Sequence, residues 1–279
     1  MIRYASVLTV FILVFFSAAF AQQHRLEKIW ETDSLLKVPE SVLYDAANKV
    51  LYVSNIDGEA GAKDGKGSIG KVALDGKIIQ AEWVTGLNAP KGLGLYKGQL
   101  YVADLTEVNV IDIKSGKITS RIPVEGSTFL NDLTIDKNGV VFVSDSRKKK
   151  VHRIEKGKVS TILDSLSLKG PNGLLSHGNE FYVLDAGTMY KMNTGNQLTR
   201  VAEGMETSTD GIEHVTGNDF IVSSWVGVVY YIHADGTKET LLDTKSQKIN
   251  SADIGYDARK KIVYVPTFAK NSIVAYQLK

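Results

Sequence analysis

Short apolar runs of alternating or β-branched residues recur along this chain, each bounded by Gly, Asn or Asp. Alternation with a period of two, interrupted by tight-turn residues, predicts strands joined by hairpins. Six segments share one pattern: an apolar run, a turn, then a second run ending in a small or acidic residue. They are residues 40–55, 91–104, 131–145, 172–185, 210–224 and 252–267, and their first residues stand 51, 40, 41, 38 and 42 positions apart. Further strand-like runs complete each unit, such as 151–154 and 159–163 around Lys156-Gly157. Outside the first twenty-one residues no helical period persists beyond two turns. Four short strands per period of about forty residues describe a propeller blade. The expected fold is therefore an all-β, six-bladed β-propeller. Its sixth unit has only three strands before Lys279. The missing one is expected near the N-terminus, where Leu26, Lys28 and Trp30 alternate with Glu27, Ile29 and Glu31. That strand would close the last blade and cover its open edge.

Composition adds limits to this picture. With 279 residues, 43% hydrophobic and 23% charged, the chain is ordinary globular material, read as one domain over residues 22–279. Arg3, the apolar run 7–16 and Ala19-Phe20-Ala21 predict a secretory signal peptide over residues 1–21, cleaved after Ala21. The mature protein is then expected to be periplasmic or secreted and free of the membrane. There is no cysteine, which removes thiol catalysis, thiolate metal ligands and a lipoprotein anchor. Of 33 basic and 31 acidic residues only Arg3 leaves with the signal, so a mature net charge of +1 makes no electrostatic case for nucleic acid.

The first strand of a propeller blade lines the central channel, and the repeat register places Glu40, Lys91, Asn131, Asn172, Asp210 and Ala252 at its opening. Asn and Asp also favour strand entries for local reasons, because their side chains bond nearby backbone. Four oxygen-bearing residues from four different blades argue for more than that: Glu40, Asn131, Asn172 and Asp210 form a set suited to one hard divalent cation. Ca²⁺ fits best, with Mg²⁺, Mn²⁺ or Zn²⁺ as alternatives. Carboxylates converging in a channel would otherwise repel each other. Gly92, Gly173 and Gly211 follow three of the register positions, where backbones crowd toward the axis.

The connection 57–68, glycine-rich and without an apolar anchor, is either a mobile lid over the site or a surface insertion. Residues ending the second strands (Asn55, Asp104, Asp145, Asp185, Ser224 and Thr267) are expected to cap turns on the same face. Trp225 and Phe268 lie just beyond them and offer an apolar wall for substrate. The five histidines suggest no shared site: His177 belongs at the far end of a first strand, and His152, His214 and His233 fall inside strands. No nucleophile elbow, Walker loop or dinucleotide fingerprint occurs.

The combination of Pro39-Glu40, Leu130-Asn131-Asp132-Leu133, Gly170-Pro171-Asn172-Gly173-Leu174 and Thr209-Asp210-Gly211-Ile212 resembles the senescence marker protein/gluconolactonase/luciferin-regenerating enzyme (regucalcin-like) family. The resemblance runs from about Trp30 to the C-terminus, and that family is in turn similar to paraoxonase and diisopropylfluorophosphatase propellers. It implies a hydrolase of lactones or phosphotriesters with a channel-bound divalent cation. Glu40, Asn131, Asn172 and Asp210 would be its ligands, and Asp210 would also match the general base or nucleophile. The Arg and Asn of sugar-lactone members have no clear counterpart in the second blade, where Lys91 stands. The paraoxonase-type channel His pair has none.

The resulting expectation is an exported, metal-dependent, lactonase-type hydrolase acting on a small lactone or ester. Asp210 would activate water, and Lys91 would hold an anionic or hydroxylated part of the substrate. A non-catalytic ligand-binding propeller with a structural cation and a promiscuous phosphotriesterase remain open beside it.

Overall fold

Turn chemistry converts the apolar runs into sheets. Lys156 and Gly157 both take left-handed backbone angles, φ 50° and 76°, as a two-residue hairpin of the primed type requires. Repeated along the chain, such hairpins give six antiparallel sheets of four strands in a computed structural model that describes residues 24–279. The expected signal peptide and its cleavage point lie outside the described residues. The sheets form a six-bladed β-propeller, with inner strands Pro39–Asp45, Pro90–Tyr96, Leu130–Ile135, Pro171–His177, Thr209–Thr216 and Gly255–Asp257. Each inner strand packs against those of the blades before and after it.

The core is divided among the blade interfaces. Tyr182, Leu184 and Met189 of blade four meet Ile212, Phe220 and Val222 of blade five. Val50 and Tyr52 of blade one likewise meet Leu93 and Val102 of blade two. Alternate side chains of a strand face opposite neighbours, so period-two runs bury both faces of every inner sheet. The ring closes as expected. Leu26–Glu31 pairs antiparallel with Ile273–Leu278, from Leu26 opposite Leu278 to Glu31 opposite Val274. On the axis side the Asp253 amide donates to the Glu40 carbonyl at 2.9 Å, joining the sixth blade to the first.

One irregularity recurs. In each of the first five blades the ladder between the first two strands shifts register at the opening of the inner strand. The shifts fall between Pro39 and Ser41, Pro90 and Leu93, Leu130 and Leu133, Pro171 and Leu174, and Thr209 and Ile212. A bulge adds an unpaired residue and re-aims its neighbours. The backbones there are packed too closely for side chains: a Cβ on Gly92 would sit 2.3 Å from Asp132 Oδ1, and one on Gly173 2.1 Å from the Asp210 carbonyl oxygen.

Acidic residues ending the second strands do cap turns. Asp104 accepts from the amides of Asn88 and Ala89, Asp145 from Thr128 and Lys148, and Asp185 from Lys169 and Gly170, all at 2.6–3.0 Å. The long connection of blade one differs from its expectation. Ala60 packs beside the buried Ile56, Ala89 and Leu105, giving the segment the apolar anchor its composition did not suggest.

Candidate functional site

The bulged strand openings converge on a cavity of about 240 Å³ at one mouth of the channel. Glu40, Lys91, Asn131, Asn172, Asp210, Trp225 and Phe268, all expected at the site, line it together. Ile56, Ala60, Phe129 and Ser208 complete the lining; Ala60 belongs to the connection 57–68, expected either over the site or as a surface insertion, and the other three carried no sequence signal. Ala252, the sixth register position, is not among the lining residues. Glu40, Lys91, Asn131 and Asp210 are buried, whereas Trp225 is exposed and meets Phe268 edge to face at 5.4 Å.

Hydrogen bonds fix which atoms remain available. Asn172 Nδ2 donates to Asp210 Oδ1 at 2.8 Å. Asn131 Nδ2 donates to Ser146 Oγ at 3.0 Å, and that hydroxyl donates to the Pro171 carbonyl at 2.6 Å. With both amide nitrogens engaged, Asn172 Oδ1 is buried without a partner among the described residues, and so is Glu40 Oε2. A buried acceptor left unsatisfied costs about 1–3 kcal/mol, and more when charged, so such atoms call for a partner from outside the chain.

The electrostatics agree. Burial, then the nearby Asp210 carboxylate, holds Glu40 well above the usual carboxylate range. Asp210 is raised by burial and by Asp253, against the opposing pull of Asn172 and Lys91. Lys91 is pushed down to about 8, chiefly by burial, although Glu40 opposes the shift. Its ammonium donates to the carbonyls of Ala60 and Ala89 at 2.9 and 2.8 Å and stands 4.5 Å from the Phe129 ring centre. Two carboxylates and two carboxamides, with no histidine among the lining residues, are the donors a hard cation takes. Two negative charges and two orphaned oxygens match a divalent ion.

Further along the same strands lies a second cavity of about 200 Å³, lined by Ser41, Asp132, Glu213 and Asp253 among apolar residues. These groups were not anticipated. Asp132 and Asp253 each sit one residue beyond a register position, and in a regular strand such neighbours face opposite ways. At the bulged opening of blade three both Asn131 and Asp132 reach the channel, whereas Asp253 does so without Ala252, which lines neither cavity. Here the acids are satisfied from within. Asp132 accepts from the amides of Leu133 and Leu174, each at 2.6 Å, and Asp253 Oδ2 accepts from Ser41 Oγ at 2.5 Å. Burial raises Asp253 to about 7 and, helped by Asp253, Glu213 to about 8.

Three of the five histidines keep to structural places, and the other two come together. His177 and His214 stack at 3.7 Å, and His152 is buried beside Ser127 and Thr161, in keeping with structural roles. His233, however, follows the strand Val228–Ile232 rather than lying inside it, and it converges with His24 on Glu239.

No protein-family model matches the chain, and no curated protein does. Among solved structures, a streptogramin B lyase superposes with a TM-score of 0.68 at 12% identity, covering 92% of this chain and 98% of that one. A catalytically inactive histidine-to-alanine variant of virginiamycin B lyase from Staphylococcus aureus, with quinupristin, gives 0.65 at 14%, covering 91% and 99%. A candidate gluconolactonase gives 0.65 at 15%, covering 93% and 94%. Likeness at these identities establishes the propeller alone.

Proposed function

We propose that the chain is an exported, metal-dependent hydrolase of the lactonase type, acting on a small lactone or ester at the channel mouth. The observation that carries this reading is the pair of buried, unpartnered oxygens, Glu40 Oε2 and Asn172 Oδ1, facing a cavity shared with Asn131 and Asp210. Glu40, Asn131, Asn172 and Asp210 would hold the cation, with Ca²⁺ the best fit to an all-oxygen set. Bound there, a divalent ion supplies Lewis-acid polarisation of an acyl carbonyl.

The side chains account for the remaining tasks. The Asn172 amide occupies Asp210 Oδ1, so Oδ2 is the atom left to orient water and take its proton. Lys91 gives two of its three N–H groups to backbone carbonyls and keeps the third for a substrate oxygen. Trp225 and Phe268 wall the cavity on its apolar side, and a volume of about 240 Å³ limits the substrate to a small molecule. The likeness to a candidate gluconolactonase is compatible with this chemistry. A lyase reading is less well supported: the virginiamycin B lyase variant that lost one histidine is inactive, and none of the residues lining this cavity is a histidine.

The test measures turnover on a lactone panel together with bound cation. Asp210→Asn should stay folded and retain cation, yet lose about 10²–10⁴-fold in turnover. Asn172→Ala should act through weakened cation affinity and recover in excess cation. Full activity of a folded Asp210→Asn protein would overturn the role given to Asp210. Absence of any turnover in the wild type would favour a binding propeller. Export is tested separately, by sequencing the mature N-terminus, which should begin at Gln22.

A further inference from the structure

We propose that His24, His233 and Glu239 form a second cation site on the outer side of the ring, suited to a borderline divalent ion such as Zn²⁺. The inference is independent of the hydrolase reading. His24 lies just before the closing strand Leu26–Glu31, whereas His233 and Glu239 flank the hairpin between Val228–Ile232 and Lys238–Asp243 of blade five. Three ligand atoms, one from each side chain, lie within 4.8 Å of one another. His24 Nδ1 is 3.2 Å and His233 Nε2 2.7 Å from the same carboxylate oxygen, Glu239 Oε1. Ligands 2.0–2.1 Å from a tetrahedral zinc ion stand about 3.3 Å apart, so a small outward movement admits the ion.

The donors are held in orientation by other contacts. The His24 ring stacks on Tyr231 at 3.8 Å and 8°, and the Tyr231 hydroxyl donates to Asp219 Oδ2 at 2.8 Å. The backbone amide of His24 donates to Glu239 Oε2 at 2.9 Å, which keeps Oε1 turned toward both imidazoles. The three side chains are 21%, 24% and 16% exposed, sheltered enough to be ordered and open enough for an ion and a water ligand to enter.

Two imidazoles and one carboxylate select differently from the channel mouth, favouring zinc-class ions where the oxygen set favours calcium. The location gives the site its consequence. Among the described residues the closing strand is hydrogen-bonded along one edge, to Ile273–Leu278. An ion at His24 would tie the segment leading into that strand to the neighbouring blade, stabilising the closed ring.

The experiment uses tag-free protein in saturating Ca²⁺, so that the channel donors are occupied, and titrates Zn²⁺ against a chromophoric chelator. One equivalent should bind, and the melting temperature should rise by about 5–10 °C at a hundredfold excess over Kd. His233→Ala and Glu239→Gln should each lose at least about 100-fold in Zn²⁺ affinity and the thermal shift with it. X-ray absorption on the zinc-loaded wild type, which depends on no variant, should report two imidazole ligands. An oxygen-only shell, or wild-type binding no tighter than that of folded variants, would overturn the proposal. So would a melting temperature indifferent to Zn²⁺, which would leave these groups as a hydrogen-bonded cluster only.

Discussion

Asn131 and Asp132 are consecutive residues of one inner strand, yet they line different cavities of the channel. Asn131 lines the cavity at the mouth beside Glu40, Asn172 and Asp210, where two buried oxygens have no partner among the described residues. Asp132 lines the cavity further in, where both its oxygens accept backbone amides and Asp253 accepts a serine hydroxyl. The chemical inventories are similar, carboxylates from several blades in a low-dielectric channel. What differs is the source of the compensating donors. Inside, the fold supplies them, and the acids serve as cross-braces: Leu174 belongs to the blade beyond that of Asp132. At the mouth they must come from outside. Buried polar groups satisfied internally rigidify a fold, whereas unsatisfied ones mark a binding site.

Asp132→Ala strips two buried amides of their acceptor and should destabilise the protein by about 4 kcal/mol in urea unfolding. Asn172→Ala, measured in chelator, gives up one hydrogen bond, from Nδ2 to Asp210 Oδ1, while its carboxamide oxygen has no partner to lose, and should cost about 2 kcal/mol. Similar losses for the two would mean that the mouth is as structural as the interior.

A second contrast concerns the cation. Glu40→Gln should lower cation affinity by about 100-fold, or about 2.7 kcal/mol, while Asp253→Asn should change it by less than tenfold. Calorimetric titration with Ca²⁺ decides this, and equal losses would move the cation from the mouth into the interior.

The smallest expected effect is a pH dependence. Glu213 holds its proton up to about 8 in the fold, against an ordinary value of 4.5. Above pH 4.5 the unfolded chain ionises this group first, so stability should fall as pH rises and level off near pH 8. Glu213→Gln in chelator should flatten that slope, leaving the variant the more stable of the two at pH ~8.5. A slope unchanged by the substitution would mean that Glu213 is already ionised in the folded protein.

Much of the channel mouth was legible because the repeat is local. Glu40, Asn131, Asn172 and Asp210 occupy equivalent register positions, and in a propeller equivalent positions meet at the axis. Lys91 was found by the same rule, and Trp225 and Phe268 by their place after second strands. Ser208 and Phe129 escaped, since each lies in a connection whose path no periodicity predicts. Asp132, Glu213 and Asp253 escaped for a different reason. Strict alternation would turn Asp132 and Glu213, at odd offsets from Asn131 and Asp210, away from the axis, and the bulges that re-aim them leave no signature in the sequence, while Asp253 follows Ala252, the one register position without a polar side chain.

Period-two patterning, turn residues and a forty-residue repeat by themselves determined the six blades, the closing N-terminal strand and the equivalent inward positions. These depend on contacts between neighbours in sequence or between like positions of successive units. Tertiary structure alone decided which oxygens find donors, how Ala60 anchors the long connection, and that His24 meets Glu239 across 215 residues of chain. Those outcomes rest on how the closed ring brings non-equivalent residues together, and no local pattern encodes that distance.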